Sequence, residues 1–115
     1  MSDVTIWHNP RCTKSRETLA LIEARGITPT VRKYLEDAPT ETEIRAVLDA
    51  LGLTAIQAMR TKEAEFKDQG LTKDTDEDTL IAAMAATPKL IERPIVFANG
   101  KARLGRPPES VLDIL

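Results

Sequence analysis

"WHNPRCTKSRETL", residues 7–19, holds both the one cysteine and the one histidine of the 115-residue chain. Upstream, Val4–Trp7 reads as a short buried strand, and the turn formers Asn9 and Pro10 end it. From about Thr13 the pattern changes period. Ser15, Leu19 and Ile22 fall on one helical face, and Gly26 is placed to stop the helix. The thiol of Cys12 therefore sits between a strand end and a helix start, with Arg11, Lys14 and Arg16 around it.

The rest of the fold follows outward from this unit. Thr30–Tyr34, after Pro29, reads as a second strand, which makes the opening β-α-β. Thr40 and Glu43 have capping-box spacing, Ile44, Val47, Leu48 and Leu51 line one face, and Gly52 closes the helix. Residues 54–70 read as short helical turns. A further helix begins near Thr75–Asp76, turns Leu80, Ile81 and Met84 inward and ends before Pro88. In "PIVFANGKARL", Ile95–Ala98 and Lys101–Leu104 flank Asn99-Gly100, a strong hairpin signal. "RPPESVLDIL" closes the chain as a helix with Val111, Leu112 and Leu115 as its apolar side. No repeat, low-complexity tract or linker interrupts this order. The expectation is one α/β domain over 1–115, with a mixed sheet of β-α-β and β-β-α units and a helical insertion at about 40–87.

The formal charge of −2 argues against broad binding to nucleic acid or an acidic membrane surface. No apolar run reaches the roughly 18 residues that span a bilayer, and the first residues lack the basic and apolar regions of a secretory signal. A single cysteine forms no internal disulfide, which fits a reducing cytoplasm. Ser15 stands where a C-x-x-C pair would have its second thiol, so redox chemistry at Cys12 needs a thiol from another molecule. No metal and no bound cofactor are expected.

Two readings of Cys12 fit the local residues equally. It is either a small apolar residue packed under the first strand or an activated nucleophile. Unpaired N–H groups and the helix dipole favour an anion at this position. A shift in pKa from about 8.5 to about 6.5 takes a thiol from a few per cent to roughly three-quarters thiolate at neutral pH. His8 either holds the turn or supports the thiolate, and the nearby cations either stabilise it or are solvated. A tyrosine-phosphatase-type loop needs an arginine at position 18, which is Thr18.

"HNPRCTKSRETL" at 8–19, "YLEDAPT" at 34–40, "RTKEAEFK" at 60–67, "ERPIVFANGKARLGRPPE" at 92–109 and the terminal "VLDIL" together resemble the glutaredoxin-linked arsenate reductase family, in its short branch. The resemblance covers nearly the whole chain. It implies a thioredoxin-like fold with a helical insertion, Cys12 as nucleophile and His8 as a second catalytic residue. It also implies oxyanion binding by Arg60, Arg93 and Arg106, a turn supported by Asn9, Ser15 and Arg16, and a cis-proline at Pro94. By the same resemblance the thiolate attacks arsenate or a related oxyanion, glutathione is co-substrate, and glutaredoxin accepts the resulting disulfide. The alternatives are a thiol reductase of a different oxyanion and a non-enzymatic thioredoxin-like binding or regulatory protein. Ser15 removes the C-x-x-C switch of a related regulatory branch. Three geometric expectations follow: a partly exposed Cys12, a lowered thiol pKa, and convergence of the three arginines on the sulfur.

Overall fold

The computed structural model describes residues 3–115. Four strands form one mixed sheet in the order β2-β1-β3-β4. Strand β1 (Val4–Trp7) pairs in parallel with β2 (Thr30–Arg32), through helix α1 (Thr13–Ala24), and antiparallel with β3 (Ile95–Ala98). Strand β4 (Lys101–Leu104) pairs antiparallel with β3. This is the thioredoxin-like arrangement expected from the β-α-β and β-β-α units. Alternation along the strands sends Val4, Ile6, Val96 and Ala98 to one face, where they bury against Ile22 of α1 and against Val111 and Ile114. The β3–β4 turn is a two-residue one: Asn99 and Gly100 both have positive φ, at 54° and 74°, as a type I′ hairpin requires. The Asn99 side-chain amide also donates to the Ile114 carbonyl at 2.7 Å.

Two compact units divide the chain. One comprises the residues up to Asp37 together with Arg93–Leu115, and the other is Ala38–Glu92. The second unit contains α2 (Glu41–Leu51), α3 (Ala64–Asp68) and α4 (Glu77–Ala86), with 3-10 turns at Ile56–Ala58 and Pro88–Leu90. Helix α2 starts with a complete capping box between Thr40 and Glu43, and Asp76 caps α4 by accepting from the Thr79 N–H. Both place acidic residues in the first turn, which satisfies the orphan N–H groups and complements the helix dipole.

Two elements differ from expectation. Strand β2 ends at Arg32, and Lys33–Asp37 form a turn in which Glu36 N–H and Asp37 N–H both donate to the Lys33 carbonyl. With its carbonyl committed to that turn, Lys33 has none to offer a neighbouring strand. The last helix is 3-10, Pro108–Ile114, not α. With three residues per turn, the i, i+3, i+6 positions share a face. Pro108, Val111 and Ile114 are therefore the buried set, whereas α-periodicity selects Val111, Leu112 and Leu115.

The hairpin continues past its last labelled pair, because Gly105 N–H donates to the Pro94 carbonyl at 2.9 Å. Gly105 has no room for a side chain: a Cβ there would lie 2.5 Å from Thr18 Oγ1 and 2.7 Å from Pro94 Cγ. Gly105→Ala is expected to cost about 1–3 kcal/mol through overpacking. A lowered urea midpoint with unchanged slope measures it.

Candidate functional site

Helix α1 begins differently from α2 and α4. Its N-cap is Cys12, no side-chain cap bond is formed there, and its first turn carries no acidic residue. The orphan N–H groups thus face a sulfur. The turn before it is closed by Asn9, whose carbonyl accepts from Cys12 N–H and whose Oδ1 accepts from Arg11 N–H, both at 3.0 Å. Arg16, exposed, reaches back to the Pro10 carbonyl and to Thr13 Oγ1 at 3.4 Å each. Thr18 Oγ1 donates to the Lys14 carbonyl at 2.8 Å.

Ser15 is the hub of this turn. It is fully buried, and its hydroxyl accepts from Asn9 N–H at 3.0 Å while lying 2.6 Å from His8 Nδ1. A serine hydroxyl has one proton to give. It also has two lone pairs, and with Asn9 N–H on one of them the hydroxyl still pairs with Nδ1 as donor or as acceptor, so Ser15 ties His8 to the Asn9 amide in either tautomer. His8 itself is buried, and its backbone N–H donates to the Arg32 carbonyl at 2.8 Å, carrying the β1–β2 ladder one residue further. Burial lowers its pKa first, and the positive charges of Lys33 and Arg16 lower it further. Both effects favour the uncharged imidazole.

Cys12 is 8% exposed, more buried than expected, because the turn folds over it while its own N–H is tied to Asn9. Burial alone raises a thiol pKa. Here it is outweighed by hydrogen bonding from the Ser15 N–H, by the hydrogen bond and charge of the Arg93 guanidinium, and by the Lys14 N–H. The net shift is downward, towards thiolate.

Arg93 and Arg106 come from the β3–β4 hairpin. Ile95 pairs with Leu104 and Pro94 bonds Gly105, so Arg93 falls opposite Arg106 in the same register. Arg106 Nε donates to the Arg93 carbonyl at 2.9 Å. Arg93 is half-buried, with its Nε and Nη1 inside the protein. The Arg93–Pro94 peptide is cis, and so is Arg106–Pro107, for which the sequence carried no expectation. Arg60 belongs to the Ala38–Glu92 unit. There its N–H donates to the Leu90 carbonyl at 2.7 Å and its guanidinium pairs with Glu63, which also meets Lys89 at 3.5 Å.

Sequence reasoning missed Lys33, whose charge reaches His8 from the turn after β2. It found Arg93 and Arg106 only through resemblance, although the Asn99-Gly100 turn already pairs them by register. Among the described residues no group of three or more His, Cys, Asp or Glu could hold a metal ion. None of the described helices is long and apolar enough to cross a membrane.

The pattern that defines the ArsC family matches residues 7–114. The chain is 51% identical over 114 residues to the uncharacterised protein YfgD of Escherichia coli K12, covering 97% of this chain and 96% of that one. It is 45% identical over 117 residues to an arsenate reductase of Neisseria meningitidis, across the full length of both. Among solved structures, an arsenate reductase from Vibrio cholerae superposes with a TM-score of 0.94 at 54% identity, over 98% of each chain.

Two titrations test the site. Alkylation of Cys12, the only thiol, is expected to show a midpoint below about 8.5, the value of an unperturbed thiol. The imidazole resonances of the single histidine are expected to titrate below about 6.5, its ordinary value. In the window between the folded His8 pKa and that value, the unfolded chain binds the extra proton, so this group's contribution to stability falls as pH falls. Removing the Ser15 hydroxyl in Ser15→Ala leaves Asn9 N–H and His8 without their partner, and should destabilise the fold by about 1–3 kcal/mol.

Proposed function

Since the chain belongs to the ArsC family, we propose that it reduces arsenate to arsenite by attack of the Cys12 thiolate. The observation that carries this reading is a lone, buried cysteine at a helix start, held towards thiolate by backbone N–H groups and the Arg93 guanidinium. Arsenate near neutral pH is a doubly charged tetrahedral anion, and a thiolate joining it brings more negative charge. A helix N-terminus offers N–H donors to such an anion. Guanidiniums suit its oxygens because the planar fork binds two of them and keeps its charge. Arg93 and Arg106, tied to one another across the hairpin, take that role, and the family resemblance gives Arg60 the same one. Each charge-assisted hydrogen bond contributes about 1.5–3 kcal/mol.

The electron count requires a second thiol. One arsenate takes two electrons from two thiols, giving arsenite, water and one disulfide. Cys12 supplies one sulfur. With Ser15 at the C-x-x-C position the other comes from glutathione, which joins the arsenic adduct, and the Cys12–glutathione disulfide left as arsenite departs passes to glutaredoxin. A glutathione-rich reducing cytoplasm is the compartment this scheme fits. His8, bonded to Ser15, acts as a positioning residue: it holds the residue whose N–H supports the sulfur. Asn9 and Arg16 brace the same turn.

Purified protein supplied with arsenate, glutathione and glutaredoxin is expected to turn over. Cys12→Ser abolishes turnover with the fold retained. Turnover with thioredoxin in place of the glutathione system would overturn the external-thiol scheme. Arg93→Gln is expected to lower kcat/KM by roughly ten- to a hundredfold, the equivalent of one charge-assisted bond, and to raise the alkylation midpoint of Cys12. A loss of turnover with no change in that midpoint would separate oxyanion binding from thiolate support.

A further inference from the structure

A cleft of about 280 Å³ lies between the turn at 8–11 and the turn at 33–36. Both turns follow the carboxyl ends of the parallel strands β1 and β2, where open α/β sheets present their ligand crevices. Its walls carry the cations Arg11 and Lys33, the carboxylate Glu36 and the apolar side chain of Leu35. Leu35 is 44% exposed, one of two large hydrophobic residues left in solvent among the described residues. The second wall is braced: Arg32 bonds the Asp37 carbonyl at 3.1 Å, pairs with its carboxylate at 3.2 Å and lies over the Trp7 ring at 5.3 Å.

We propose that this cleft seats the reducing thiol as a peptide carrying two carboxylates, one ammonium and a central sulfhydryl, as glutathione does. The proposal rests on the reading of Cys12 as a nucleophile resolved by an external thiol, and it adds where that thiol binds. Charge is the argument. Arg11 and Lys33 complement the two carboxylates, Glu36 complements the ammonium, and the net +1 of the walls meets a ligand of net −1. Leu35 covers the methylene chain between the charged ends. Arg11 directly precedes Cys12 in the chain, so the cleft borders the turn that carries the sulfur, although Cys12 itself is not in its walls. Arsenate, small and tetrahedral, has no use for a carboxylate or an exposed leucine.

Disulfide exchange tests the cleft without arsenate. The Cys12 thiolate attacks glutathione disulfide, one S–S bond forms as another breaks, and the second glutathione leaves as thiolate. The rate of mixed-disulfide formation, followed by intact mass, is compared with the rate for hydroxyethyl disulfide, which is uncharged. Wild type is expected to favour glutathione disulfide. In Lys33→Glu the ratio of the two rates is expected to fall about tenfold, the effect of reversing one charge near a partly solvated carboxylate, and to fall less at high salt. An unchanged ratio, with both rates moving together, would mean that Lys33 acts only on thiol reactivity and would overturn the proposal. Millimolar S-methylglutathione should shift backbone amide resonances at 8–11 and 33–36, and shifts confined to other residues would also overturn it. Retained discrimination without arsenate turnover would refute the activity while leaving the cleft. Glutathione-dependent turnover indifferent to Lys33→Glu would do the reverse.

Discussion

A buried sulfur is a poor place for negative charge, and Cys12 is buried. Desolvation is the largest single influence on its acidity, and it acts against the thiolate. Two amides at the start of α1 and one guanidinium from the hairpin reverse the balance. Helices α2 and α4 give their first N–H groups to oxygens of Thr40 and Asp76. Helix α1 withholds its own from any side-chain oxygen, and the thiolate takes the place of the cap. Ser15 joins the two halves of this device. Its N–H supports the sulfur, while its hydroxyl fixes His8 and the Asn9 amide from the strand side. The residue that removes an internal resolving thiol is also the one that organises the site.

Much of the fold was legible because local signals agreed with one another. The capping box at Thr40–Glu43, the Asn99-Gly100 turn and the thiol-bearing junction after β1 each specify a conformation within a few residues. What escaped were features decided by competition. Whether β2 runs on past Arg32 depends on where the Lys33 carbonyl bonds, and it is taken by the Glu36 and Asp37 N–H groups. Whether residues 108–114 form an α or a 3-10 helix depends on which side chains are buried, and Pro108, Val111 and Ile114 are.

The site was legible in part for a different reason. Cys12, His8 and Ser15 share one short stretch, so proximity is built into the sequence. Arg93 and Arg106 are joined by hairpin pairing, which is also local once the turn is recognised. Lys33 approaches His8 only because β1 and β2 are parallel neighbours. Arg60 has no such tie. It stands in a segment rich in Glu63, Glu65 and Lys89, where an ion pair is its ordinary fate, and nothing in the local pattern distinguishes it from a solvated charge.

The β3–β4 turn acts as a ruler. From Ala98 to Arg93 is five residues, about 17 Å of strand at the usual rise, yet the two-residue turn at the far end decides which residue faces Arg93. One inserted residue there would slide the strands out of phase and turn every following side chain to the opposite face of the sheet. Arg106 would then exchange places with Gly105 or Pro107, and the glycine that lets Thr18 and Pro94 close up would move away from them. Indels are therefore barred from a solvent-exposed loop at the far end of the hairpin, and variation there must proceed by substitution alone.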